Sequence, residues 1–193
     1  MHQHSIVAPI VRFRFVNFLF IFSNFTRSIN KNKNKSSTMA DAETMFDLLQ
    51  MEIVKFTHSS KNIGKNEANT KLEQMGYRVG QSLVEKLTKD AARFNNELDM
   101  MKFICKDFWI MVYGKQIDNL RTNHQGVYVL NDNSFKLLNR ITTNRQFVSE
   151  CQKYVAFPCG LVRGALAGVG VSSFVSADIK EMPLVKFQVE IQR

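Results

Sequence analysis

Cysteine is scarce in this 193-residue chain, which has three: Cys105, Cys151 and Cys159. They form no CxxC pair and leave an odd one over, which excludes a disulfide framework and a zinc site and points to a reducing compartment. His2, His4, His58 and His124 fall at no ligand spacing with them, so no metal is expected. Also lacking are a phosphate-cradling glycine loop, a nucleophile elbow and an HExxH helix, and with them the motif-borne enzyme classes. No cofactor is implied. No long uninterrupted apolar run is present either. The nearest, residues 155–175, contains Pro158, Arg163 and four glycines, which fits buried core better than a membrane span.

Acid is missing from the first 38 residues, which hold Arg12, Arg14, Arg27, Lys31, Lys33 and Lys35 and no Asp or Glu. Of 26 basic residues those six lie here, so 20 basic face 17 acidic ones in the remainder, and the formal net charge of +9 is mostly the leader's. A surplus of three is ordinary for a cytosolic protein, so a nucleic-acid partner is not expected. The leader has an aromatic run and then an Asn/Lys run. A signal peptide would need a small-x-small site, which does not follow; a transit peptide fits the basic, acid-free composition. The reading preferred is that Met39 is the true start, because MADAETMFDLLQ opens a capped amphipathic helix. Residues 1–38 are expected to be disordered or absent from the native protein, and residues 39–193 to be one α+β domain.

What is present is globular: 45% hydrophobic and 11% aromatic residues are enough for one core. Phe46, Leu49, Ile53 and Phe56 advance by three or four and mark one stripe of a first helix. A second helix, about Thr70 to Thr88, carries Leu72, Met75, Val79, Leu83 and Leu87 on one face, with Gly76 and Gly80 one turn apart among them. Each glycine costs about 1 kcal/mol in a helix interior, so the pair implies close approach of another backbone. A third helix, about Glu97 to Tyr113, is apolar over more than half its circumference and places Trp109 in the core. Asp90 or Asn96 is positioned to cap its start and Gly114 to stop it.

The period then falls to two. Gln116 to Thr122 and Val127 to Asn131 read as strands joined through Asn123-His124-Gln125-Gly126, and Phe135 to Leu138 as a third strand after an Asn/Asp/Ser turn, giving a meander. Helical period returns from Arg145 to about Gly168, with Pro158 expected to kink or break it. Ser172 to Ala177 and Leu184 to Ile191 alternate as closing strands. This order predicts an α+β fold with four main helices packed on one side of an antiparallel sheet. The polar hairpin residues Asp118, Arg121, Asn123 and His124 gather acid, base and cation, as acid–base chemistry requires, yet the same types decorate any turn. In a regular strand Asp118 and Arg121 point to opposite faces, and a contact surface is the better reading.

GYRVGQSLVEKLTKD (76–90), ELDMMKFICKDFWIMVYGKQIDNLRTNHQGVYVL (97–130), YVAFPCGLVRGAL (154–166) and FQVEIQ (187–192) resemble the subunit 6 branch of the small α+β subunit family of TRAPP, a vesicle-tethering complex. The resemblance covers Met39 to Arg193. It implies a non-catalytic scaffold that forms a heterodimer with the related TRAPP small subunit 3 and supports the whole complex's guanine-nucleotide exchange on a Rab GTPase. It also implies endoplasmic-reticulum-to-Golgi transport and a cytoplasmic protein peripheral on Golgi membranes. Family dimers are expected to pair their first two helices and adjoining strands, so Phe46, Leu49, Met75, Gly76, Val79, Gly80 and Leu83 join the hairpin residues as expected partner contacts. The alternative is a small acyl or isoprenoid carrier, holding a lipid among Met100, Met101, Phe103, Phe108 and Trp109. No cysteine here matches the acylated one of subunit 3.

Overall fold

The third helix shows how closely local sequence sets local structure. In the computed structural model, which describes residues 35–60, 64–89, 94–123, 125–141 and 151–192, the Asn96 side chain accepts the Asp99 N–H at 2.8 Å. It thereby starts α3 (Glu97–Phe103). A π-helical turn, Ile104–Phe108, follows and runs into α4 (Trp109–Tyr113). The wider turn passes the Trp109 N–H to Ile104 O and leaves Cys105 O to accept the Ile117 N–H at 2.8 Å, which ties the returning chain to the helix. Gly114 ends α4 in the left-handed conformation, φ 74°, where a side chain would be strained.

Two long helices precede it, α1 (Lys35–Ser59) and α2 (Lys65–Thr88). The sheet comprises β1 (Asn119–Thr122), β2 (Val127–Asp132), β3 (Ser173–Asp178) and β4 (Val185–Ile191), all antiparallel, in the order β1-β2-β4-β3. Leu130 pairs with Phe187 and Val175 with Val189. Tyr128, Leu130, Val175, Val185, Phe187 and Val189 are buried on one face, as period-two alternation requires. Residues 47–193 form one compact unit, and Met1–Phe46 is assigned to another. Among the described residues no helix is long and apolar enough to cross a membrane.

One expected strand is a helix. Phe135 to Leu138 does not extend the meander, because Lys136–Ile141 is α5 and the strand beside β2 is β4. Phe135, Leu137 and Leu138 are all fully buried, and two adjacent buried residues fit a helix turned into the core, not an alternating strand. The turn before α5 is fixed by side chains: Asp132 accepts the Ser134 N–H at 3.0 Å, and Asn139 Nδ2 donates to Ser134 Oγ at 2.7 Å. Pro158 breaks its helix. A 3-10 turn, Gln152–Tyr154, precedes α6 (Ala156–Gly168), so proline falls in the first turn of α6, where no intrahelical N–H is needed. The stretch 155–175 forms α6 and β3, buried for most of its length.

An aromatic box fills the core. Trp109 lies with its ring centroid 4.7 Å from Tyr113, 5.3 Å from Phe187 and 6.3 Å from Phe135, and Phe135 is 5.1 Å from Tyr113. These tilted and edge-on contacts are the favoured aromatic geometry. They fasten α4 and α5 to β4.

Candidate partner-binding surface

The close approach implied by Gly76 and Gly80 exists, but the approaching backbone is this chain's own. A Cβ on Gly76 would collide with Phe157 O and lie 2.8 Å from Leu161 N; one on Gly80 would collide with Leu161 O and lie 2.9 Å from Ala165 N. The relation is reciprocal, since a Cβ on Gly160 would meet the Glu73 carbonyl group and one on Gly164 that of Tyr77. α2 and α6 therefore cross through four glycines, two from each. This corrects the expectation that Gly76, Val79 and Gly80 face a partner, for all three are buried. Met75 and Leu83, beside that seam, are half-buried. The missed signal was in the sequence: Gly160 and Gly164 stand at the same spacing of four.

The polar hairpin is a structural clamp. Its centre is Asp132, which sequence reasoning passed over as a turn residue. Its side chain follows Tyr128 and Leu130 inward, is 0% exposed, and accepts Trp109 Nε1–H at 3.1 Å, Lys115 Nζ at 2.6 Å and the Ser134 N–H. The period-two alternation of β2 was the signal for it. Lys115 also donates to Asp118 Oδ2 at 3.1 Å, and Asp118 Oδ2 accepts the Asn133 N–H at 2.7 Å. That backbone N–H, with Lys115, holds the Asp118 carboxyl below its ordinary value. Burial pulls the Lys115 ammonium down, but its bonds to Asp132 and Asp118 outweigh this and raise it. Each of these groups is committed to structural hydrogen bonds.

Arg121 is exposed on the outer face of β1, opposite Val129, and does not join the clamp. Asn123 Oδ1 accepts the Gln125 and Val127 N–H groups at 2.9 and 3.1 Å, shaping the turn that Gly126 completes at φ 90°. His124 lies outside the described residues. Asp118 and Arg121 thus lie apart, Asp118 within the clamp and Arg121 exposed on the strand.

The cysteines lie inside the fold, all three buried. Burial pushes the Cys105 thiol up to about 12 and the Cys159 thiol higher still; Cys151 lies 3.1 Å from the Met182 sulfur. Of the residues expected for a lipid carrier, Met101, Phe108 and Trp109 are core, and Met100 and Phe103 are half-buried.

The apolar surface lies on α1. From Asp47 onward its buried side reads Asp47, Gln50, Val54 and Thr57, and its outer side presents Leu48 and Phe56, the latter 78% exposed. Leu49 and Ile53 are half-buried beside it, and Phe46 is half-buried as well. A mostly polar buried side with Leu48 and Phe56 exposed on the other, either side of the exposed Glu52–Lys55 pair, is unusual for a surface helix in a self-sufficient monomer, and large exposed apolar side chains of this kind fit an interaction site.

Fold and surface together describe a small α+β domain with exposed apolar side chains on its first helix. The description "Transport protein particle (TRAPP) component" matches residues 46–192, and the chain belongs to the TRAPP family. It is 54% identical over 158 residues to trafficking protein particle complex subunit 6B of Homo sapiens and to subunit 6b of Danio rerio, covering 80% of this chain and 99% of each relative. Subunit 6A of Mus musculus is 43% identical over 159 residues, with the same coverage. A crystal structure of a trafficking protein particle complex subunit 3 from Naegleria fowleri, covalently bound to palmitic acid, has the same fold. The TM-score is 0.60 at 20% identity over 78% of this chain and 96% of that one. The recognition made from sequence and the α+β fold class both hold.

Proposed function

We propose that this chain is a non-catalytic scaffold of the TRAPP complex that docks a second small subunit, of the subunit 3 type, through the outer face of α1. One observation carries the reading: Leu48 and Phe56 stand outward on a helix whose inward side, Val54 apart, is polar. Burying such a stripe against an apolar partner surface releases about 25 cal/mol for each Å². As a scaffold, the chain supports Rab nucleotide exchange by the assembled complex at ER and Golgi membranes, from the cytoplasmic side. Chromatography with light scattering on the chain mixed with purified TRAPP subunit 3 tests the docking. A 1:1 heterodimer is expected, lost or much weakened by Phe56→Glu, whose own melting point should stay within a degree or so of the parent. A Phe56→Glu chain that pairs as tightly as the parent would remove α1 from the interface.

The acyl-carrier reading has a relative with covalent palmitate behind it, but two features weigh against it. The aromatic box occupies the core, and no described cysteine is exposed. Native mass spectrometry of protein from eukaryotic cells separates the two: a retained lipid mass favours the carrier, and a bound chain favours the scaffold.

A further inference from the structure

The inward side of α1 contains a buried charge whose partners stand far away in sequence. Asp47 is 1% exposed. Its Oδ2 accepts from Arg140 Nε at 2.9 Å and lies 3.7 Å from Lys136 Nζ, both on α5. At the other end of the helix His58 Nε2 lies 3.1 Å from the Asn69 amide oxygen of α2. Between these polar anchors the fully buried apolar side chain is Val54. Gln50 is 2% exposed, and its amide lies against the buried Tyr113 hydroxyl. The Thr57 hydroxyl is spent on Ile53 O of the same helix. By apolar burial alone this is the wrong side to turn inward: rolling α1 by about a third of a turn would bury Leu49, Ile53 and Phe56 and bring Asp47 out to water.

From this we infer that Asp47, Arg140 and Lys136 are positioning residues that lock the rotation of α1 and so hold its apolar face outward for the partner subunit. The inference rests on the docking reading above and deepens it. A carboxylate out of water needs its cations at contact distance, so the helix is fixed in the one setting that places Asp47 against α5. The pair sets orientation more than stability. Buried ion pairs replaced by apolar groups are often neutral or stabilising, and both cations here are part-exposed and can rehydrate when the carboxylate is gone.

The test uses the full chain with Asp47→Leu and Arg140→Met combined, and a reporter thiol, Phe56→Cys, on the outer face. The three native cysteines are buried, so maleimide reads the reporter. With the lock removed, the expected results are a melting point equal to or above the parent's, maleimide labelling at position 56 slowed about tenfold, and, in chains that keep Phe56, affinity for subunit 3 reduced about tenfold or more. Arg140→Lys should keep parental values in all three. Should the double variant unfold, Arg140→Met alone is read by the same labelling and binding assays. Parental labelling at position 56 in the folded lock-free chain overturns the lock, whatever the affinity does. Slowed labelling with parental affinity overturns its link to the partner. Failure of the docking reading is seen separately, as unaltered binding by Phe56→Glu in the otherwise parental chain.

Discussion

A side chain at Gly80 would occupy the space of the Leu161 carbonyl oxygen. Because the obstructing atoms are backbone on both helices, neither can turn aside, and α2 and α6 would have to separate. Gly80→Leu is expected to destabilise the isolated chain by about 3 kcal/mol, the upper part of the overpacking range. Gly64→Leu, where a Cβ meets nothing within 4 Å, should cost little. Urea denaturation of both variants measures the difference. Partner affinity of the Gly80→Leu molecules that remain folded should be unchanged, and a binding loss without a stability loss would put α2's glycines back at the interface.

The Asp132 clamp makes a second stability prediction. Asp132→Ala leaves the buried Trp109 Nε1–H with no acceptor and removes the anchor of the turn before α5. A loss of about 3 kcal/mol is expected, as when a buried charge pair is broken from one side. Asp132→Asn can still accept from Trp109 and should lose about half as much. Trp109 fluorescence reports the site directly. A red-shifted native emission should accompany the alanine variant, and an unchanged spectrum with unchanged denaturation midpoint would show the clamp to be dispensable.

Much of this was legible because it was local. Asn96, Gly114 and Gly126 act through their own backbone, and the alternation in residues 185–191 needs only a buried face to be read. The Phe135 to Leu138 error arose because a short apolar run has no period of its own, and its outcome depended on β4, some 50 residues on, taking the place beside β2. At α1 the sequence showed a stripe, Phe46, Leu49, Ile53 and Phe56, but periodicity does not say which side faces the chain's own core. That was decided by Asp47 meeting Arg140, 93 residues away. The glycines of α2 marked a close approach correctly, yet a helix–helix crossing inside one chain and one between chains demand the same small residues.

Acidity should loosen the hairpin first at Asp118. Its carboxyl is held below the ordinary 3.8 by the Asn133 N–H and by Lys115. A depressed folded value means stabilisation fully present above about pH 3.8 and lost as pH falls through the lower folded value. Lys115 is raised above 10.5, so its share is fully present below that pH and is lost only as pH rises through the folded value. The melting-point gap between parent and Asp118→Asn should therefore be constant from about pH 5 to pH 9 and close in stronger acid. With Asp118 partly exposed, the stability difference behind that gap should be small, under about 1 kcal/mol. A gap that widens on acidification would assign the clamp's stability to another group.

The thiols offer the sharpest contrast between native and unfolded chain. With Cys105 raised to about 12 from an ordinary 9.0, the native thiolate population at neutral pH is about a thousandfold below that of an unfolded cysteine. Thiolate is the attacking species both for maleimide and for an acyl thioester, so both reactions should run through opening of the core. Cys159 is raised further, by burial first and then by Glu73 nearby, with Arg163 opposing, and Cys151 is sealed against Met182. Mixed with a maleimide at pH 7, the native chain should stay unmodified on the timescale in which urea-unfolded chain takes up three equivalents, and palmitoyl-coenzyme A should leave its mass unchanged. The same exposure to denaturant that unfolds Gly80→Leu early should release its thiols early, because one opening event exposes the seam and Cys159 together. Rapid acylation of one cysteine in the folded parent would overturn this and revive the lipid-carrier reading.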